Sequence, residues 1–237
     1  MGSEGPDSEQ FRRTKVIACA TVIEEMLAHL PKDVETCVLD FGLHVNPEVL
    51  RGALQETIDA SATSADTILL GYGLCSQAVV GLRANGCTLV VPKVDDCIAI
   101  FLGSEQAYKA QHRAAPGTYY MTKGWIEAGD SPFGEYDDMV EQYGEDKARY
   151  LMGKLLNNYT RLALINTGQY ELDRYRDYCR CTAKQFNLRY EEIPGSNTLI
   201  KKLLHGPWDD EFVVAHPGET ITYMDFKRNT RKHENHR

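Results

Sequence analysis

No stretch of this chain approaches the roughly 20 consecutive apolar residues needed to cross a bilayer. Its polar opening, Met1 to Ser8, also lacks the apolar centre of a secretory signal. The expectation is a cytoplasmic protein with no membrane partner. Basic charge is scarce as well: 26 Lys and Arg stand against 34 Asp and Glu, for a net charge of −8. A broad nucleic-acid surface needs clustered cations to displace counterions from phosphate, so no nucleic-acid partner is expected and a small molecule or a protein is the better candidate. The dinucleotide fingerprint GxGxxG is missing too. Its nearest approach, Gly71-Tyr72-Gly73-Leu74-Cys75-Ser76, ends in serine, and no nicotinamide or flavin cofactor follows from it. The seven cysteines are odd in number and irregularly spaced, with neither a disulfide framework nor a paired CxxC knuckle. Reduced thiols or metal thiolates remain.

What the chain does have is length and alternation. With 237 residues, 43% of them hydrophobic, it can bury a substantial core as one large α/β domain or two small lobes. Apolar, strand-like runs end at Cys19, near His44, at Cys75 and between Pro92 and Cys97. Helical spacing follows the first at Val22, Ile23, Met26, Leu27 and Leu30. It follows the second at Leu50, Leu54 and Ile58, with Asn46 as cap and Pro47 in the first turn. Residues 76–84 read as a third short helix closed by Asn85-Gly86. Strands alternating with helices of this length imply right-handed crossovers and an open, mainly parallel, Rossmann-like α/β sheet with helices on both faces.

Residues 13–115 form this first half, preceded by a disordered segment over 1–12. Residues 116–160 break the pattern and read as a lid or connecting segment. Between Glu127 and Asp146 they carry eight acidic residues and no basic one, the mark of a solvated face. Alternation resumes over 161–226, which could extend the first sheet or form a second lobe, and a basic, frayed tail occupies 227–237.

In such a sheet the carboxyl ends of parallel strands converge on one crevice. Cys19, Cys75 and Cys97 would then meet there with His44, and three thiols with one imidazole suffice to bind a transition metal such as zinc. His44 has alternatives, since an imidazole beside Asn46-Pro47 could cap the next helix or bind a phosphate. Glu24 and Glu25 read as surface carboxylates, with Glu25 the one placed to reach back as ligand or general base. Asp96, beside Asp95, could hydrogen-bond a ligand or cap a helix. Gly71, Tyr72 and Gly73 allow close backbone approach of a ligand, the start of the helix that follows could hold an anion, and Trp125 supplies an apolar wall, a lid or core packing. Cys37 and Cys87 fall at strand starts, away from the crevice. Cys179 and Cys181 diverge on a helix, as core and surface thiols.

Several motifs together resemble the domain of unknown function family 1638: Cys19 with Glu25, Leu43-His44 followed by Pro47, Gly71 to Cys75, and Asp96-Cys97-Ile98 followed by Leu102-Gly103-Ser104. Gly117-Thr118-Tyr119-Tyr120, Gly124-Trp125, Asn166-Thr167-Gly168 and Pro217-Gly218 extend the likeness over nearly the whole chain after the first dozen residues. The resemblance implies a cytoplasmic prokaryotic protein, often encoded near corrinoid-dependent methyl-transfer systems. With that context the residues suggest a zinc-thiolate methyl or one-carbon transferase acting on a thiol or corrinoid. The alternatives are an iron-sulfur lyase with three Cys ligands and an open iron, and a non-catalytic corrinoid- or metal-binding accessory protein.

Overall fold

The computed structural model describes residues 13–128 and 131–227. The expectations of a disordered segment over 1–12 and a frayed tail fall outside it, apart from Lys227. Strands β1 (Thr14–Cys19), β2 (Glu35–Leu39), β3 (Thr67–Gly71) and β4 (Thr88–Pro92) pair in parallel in the order β2-β1-β3-β4. Ile68, Leu69 and Leu70 are fully buried, as a central strand covered on both faces requires. The order reverses between β1 and β3, which makes the space beyond their carboxyl ends the topological switch point. β1 leads into α1 (Ala20–Met26). β2 leads into α2 (Pro47–Ser61), where Leu50, Leu54 and Ile58 line the buried face. Asn46 accepts from the Glu48 and Val49 amides, so the expected cap and the Pro47 first turn are both in place.

Two details of the first half differ from expectation. The second strand stops at Leu39, and His44 sits in a 3-10 turn over Phe41–Val45, started by Asp40 accepting from the Gly42 amide. No helix forms over 76–84. Cys75, Ser76 and Gln77 take φ of 45°, 55° and 69°, one turn of left-handed backbone, which cannot propagate into a right-handed helix.

After β4 come α3 (Cys97–Leu102) and α4 (Glu105–Ala114), then a second parallel sheet in the order β5 (Thr118–Met121), β6 (Arg161–Asn166), β7 (Arg189–Pro194). Segment 116–160 therefore supplies a strand as well as helices α5 (Lys123–Ala128), α6 (Tyr136–Tyr143) and α7 (Glu145–Leu155). Along β6 the side chains alternate between two cores. Ala163 and Ile165 join the core of the first sheet, while Leu162 and Leu164 pack with Met152, Tyr175 and Cys179. α8 (Asp173–Gln185) and α9 (Thr198–His205) follow β6 and β7. β8 (Phe212–Ala215) then returns to the first sheet as an antiparallel edge beside β4, and a short α10 (Tyr223–Phe226) follows. The C-terminal half thus both builds a second sheet and extends the first. Among the described residues no helix is long and apolar enough to cross a membrane.

Candidate functional site

Three local devices gather the thiols. Gly71 lies opposite Ala18 in the β1–β3 register, where an added Cβ would meet the Ala18 Cβ at 2.6 Å, so the two central strands close tightly under the switch point. Past the end of β3 the chain stays paired with the segment after β4: Leu74 N–H donates to Val94 O at 2.7 Å and Cys75 N–H to Asp95 O at 3.1 Å. Gly73 makes this possible, because a Cβ there would meet Val94 O at 2.9 Å and Asp96 Cα at 3.0 Å. Cys75 is thereby tied two residues away from Cys97. The left-handed turn that follows costs on the order of 1–2 kcal/mol per residue, a strain that side chains of this type rarely carry away from a functional site.

Cys19 ends β1 and stands immediately before α1, with its Sγ 3.4 Å from Thr21 Oγ1. Cys97 opens α3, whose N-cap is Asp96: its carboxylate accepts from the Ile98 amide at 2.9 Å. Asp96 is thus a helix cap and a wall of the cleft at once. Burial raises its pKa above the usual carboxylate value, against the backbone amides and the Tyr108 hydroxyl that favour the charged form. Burial also pushes the Cys75 thiol up to about 12, with Asp96 and Cys19 adding repulsion, and pushes Cys97 well above its ordinary value, with Cys75, Asp96 and Cys19 adding to it. Without a cation, both are held as neutral thiols. A bound cation would reverse that balance.

These side chains line one cleft of about 660 Å³, within the usual range for a small-molecule site. Cys19, His44, Gly71, Tyr72, Cys75, Asp95, Asp96, Cys97 and Trp125 all border it. Trp125 meets Phe41 and Phe101 edge-on at 5.9 and 5.8 Å. It is brought there because α5 packs tightly on α1: a Cβ on Gly124 would meet Thr21 Cα at 2.9 Å. His44 Nδ1 hydrogen-bonds the Phe41 carbonyl, which can only accept. A neutral ring that donates from Nδ1 carries its lone pair on Nε2, the arrangement in which metal-binding histidines are usually held.

Other residues fall elsewhere. Glu25 is buried at 1% exposure and is no surface carboxylate. It does not border the cleft, and its Oε2 accepts from Thr167 Oγ1 at 2.6 Å on the loop after β6. Glu24 instead pairs with Lys123. Gly73 supports the cleft from behind. His216 and Glu219 pair with each other, His216 N–H donating to Glu219 Oε2, and neither borders the cleft. Cys37 lies within β2 and near enough to Tyr72 that a thiolate there would repel the phenolate, together with Cys19, Cys75 and Cys97. It is nearer the thiol group than its strand position suggested. Cys87 is buried at the start of β4, Cys179 is buried and Cys181 exposed on α8.

The donor types fit a soft ion: three thiols and an imidazole Nε2, with carboxylates behind. As the side chains now stand, no group of three His, Cys, Asp or Glu among the described residues is close enough together to hold an ion. Coordination would require the thiol side chains to turn toward a common point within the cleft. Sequence reasoning missed the tyrosines. Tyr108, Tyr119, Tyr120 and Tyr159 also border the cleft, contributed by α4, β5 and the turn before β6. The Thr118-Tyr119-Tyr120 run carried their only local signal.

Fold and cleft together define an α/β protein with a thiol-lined cleft at the switch point of its main sheet. Residues 38–204 match the family model described as protein of unknown function (DUF1638), and the chain belongs to that family. No curated protein and no solved structure matches it.

Proposed function

We propose that the protein is a cytoplasmic metal-thiolate enzyme that transfers a methyl or similar one-carbon group involving a thiol or corrinoid. Cys19, Cys75 and Cys97 would hold zinc, and His44 Nε2 or a substrate thiol would complete the shell. The observation that supports this most directly is the convergence of three thiols from β1, the β3 extension and α3 on a single cleft. Zinc there would lower the pKa of a thiol substrate and keep it nucleophilic at neutral pH. The chain does the rest: Trp125 and Phe41 exclude water from one side, and Asp96, held by the Ile98 amide and Tyr108, offers a carboxylate for a proton. Donation from His44 Nδ1 to the Phe41 carbonyl would leave Nε2 available to the metal.

Metal analysis of untagged protein prepared aerobically and anaerobically tests the reading. About one equivalent of zinc, lost in C75S, is expected. Less than about a tenth of an equivalent of any metal in both preparations would remove it. A brown anaerobic protein with broad absorption in the 400 nm region would move the assignment to an iron-sulfur cluster.

A further inference from the structure

Among the described residues that border the cleft there is no lysine and no arginine, and its formal charge comes from Asp95 and Asp96. An anionic ligand such as a phosphate or carboxylate would meet those two carboxylates, with the imidazoles of His44 and His112 as the bordering groups able to carry positive charge. Seven other bordering residues are Phe, Tyr or Trp. Trp125 and Phe41 stand edge to face, with ring centroids 5.9 Å apart, and Phe41 leans on His44 at 4.1 Å. Around β5 and its flanking α4 and turn, Tyr119 and Tyr159 pack at 5.3 Å and Tyr108 and Tyr120 at 6.2 Å. Tyr72, only 3% exposed, also borders the cleft, and its buried hydroxyl has no hydrogen-bond partner among the described residues.

Aromatic faces carry negative potential and attract organic cations, most strongly where water is excluded. A bare ammonium would keep too much hydration for such walls, whereas a methylated one presents apolar surface to the rings and charge to the carboxylates. We infer that this cleft binds a small methylated organic cation, a quaternary ammonium or sulfonium, between the Trp125–Phe41 pair, the tyrosines and Asp95–Asp96. The binding follows from the walls alone, while the ligand's role as methyl donor rests on the one-carbon transfer proposed above. In that role a substrate thiolate's electron pair forms the new S–C bond. The C–N or C–S bond of the cation breaks, its pair staying on the departing nitrogen or sulfur. One negative and one positive charge become two neutral products. A sulfonium then leaves as a neutral thioether, and a quaternary ammonium leaves as a tertiary amine that carries one methyl group fewer for the rings to hold.

Titration calorimetry on the metal-stripped full chain, comparing choline with its neutral isostere 3,3-dimethylbutan-1-ol, isolates the charge. Choline should bind at least about tenfold more tightly, and W125L and D95N should each weaken it by about three- to tenfold. W125F keeps an aromatic face and should retain most of the affinity, which separates loss of the cage from loss of the fold. No choline binding, equal binding of the alcohol, or choline affinity unchanged in both W125L and D95N would overturn the inference. Metal content, measured on the same preparation before stripping, reports the other reading separately. Zinc without cation selectivity leaves that reading standing, and cation selectivity without zinc leaves this one.

Discussion

Thr167 Oγ1 donates a 2.6 Å hydrogen bond to Glu25 Oε2, joining α1 of the first sheet to the loop after β6 of the second. Tyr170 adds a second hydroxyl to the same carboxylate, and the backbone amide of Lys123 donates to Tyr170 in turn. The other oxygen, Oε1, is buried without a partner among the described residues. A carboxylate so placed holds the two sheets together beside the cleft without entering it. Sequence position alone suggested a surface carboxylate, or one reaching back into the crevice as ligand or general base.

Burial raises the pKa of Glu25 above 4.5, more than its hydroxyl partners and Lys123 lower it. The folded state therefore binds this proton more tightly than the unfolded chain does. Its contribution is intact below the unfolded value and declines as pH rises through the folded one. E25Q removes that dependence while keeping an acceptor for Thr167. The melting temperature of E25Q minus that of wild type should be more positive at pH 7 than at pH 5, by about 2–4 °C. A difference that does not change with pH would show that Glu25 titrates alike in both states. E25A, which strands Thr167 Oγ1, should cost about 1–3 kcal/mol in denaturant melts.

Gly73 carries a second prediction. Its missing Cβ lets the β3 extension lie against Val94–Asp96, and that contact sets Cys75 beside Cys97. G73A must push the two segments apart by several tenths of an ångström against backbone atoms. Expected are a loss of about 1–3 kcal/mol of stability and at least a tenfold loss of zinc affinity, measured by competition with a chromophoric chelator. G86A, where an added Cβ meets nothing within 4 Å, is the matched control, although its φ of 80° also strains alanine. Zinc affinity equal in G73A and wild type would separate the glycine from the thiol pair.

The parallel order of the first sheet was legible because β1, β3 and β4 are short apolar runs bounded by turn residues, and because Asn46-Pro47 marks the start of α2 so clearly. The convergence of Cys19, Cys75 and Cys97 on one cleft follows from that order. Legibility failed where long-range contacts decide. Nothing local distinguishes Glu25 from Glu24, since only the loop 142 residues away buries one and leaves the other to Lys123. Residues 76–84 have helix-compatible composition, and the pairing of Leu74 and Cys75 with Val94 and Asp95 overrides it. The tyrosines of the cleft come from a segment whose strand, β5, has only four residues and so little periodicity to detect.

The left-handed turn offers a test of where strain is stored. Gln77 has φ of 69°, is exposed, and does not border the cleft. Glycine adopts that conformation without steric cost, although it loses more chain entropy on folding. Q77G should stabilise the protein by about 0.5–1 kcal/mol in thermal or denaturant melts, with zinc and choline binding unchanged. Destabilisation would mean that the Gln77 side chain holds the turn instead of merely tolerating it.

The thiols themselves supply the last prediction. In the metal-free protein, burial pushes Cys75 up to about 12 and Cys97 well above its ordinary value, so at pH 8 the thiolate fraction of Cys75 is on the order of 10⁻⁴. Cys181, exposed on α8, has no such protection. Timed alkylation with iodoacetamide, read by peptide mass spectrometry, should label Cys181 at least about a hundredfold faster than Cys75 or Cys97. Raising the pH from 7 to 9 should leave that order unchanged, because neither buried thiol approaches its pKa in that range. Rapid labelling of Cys75 in metal-stripped protein would instead identify it as a nucleophile activated by the chain alone, and the need for a metal at this cleft would disappear.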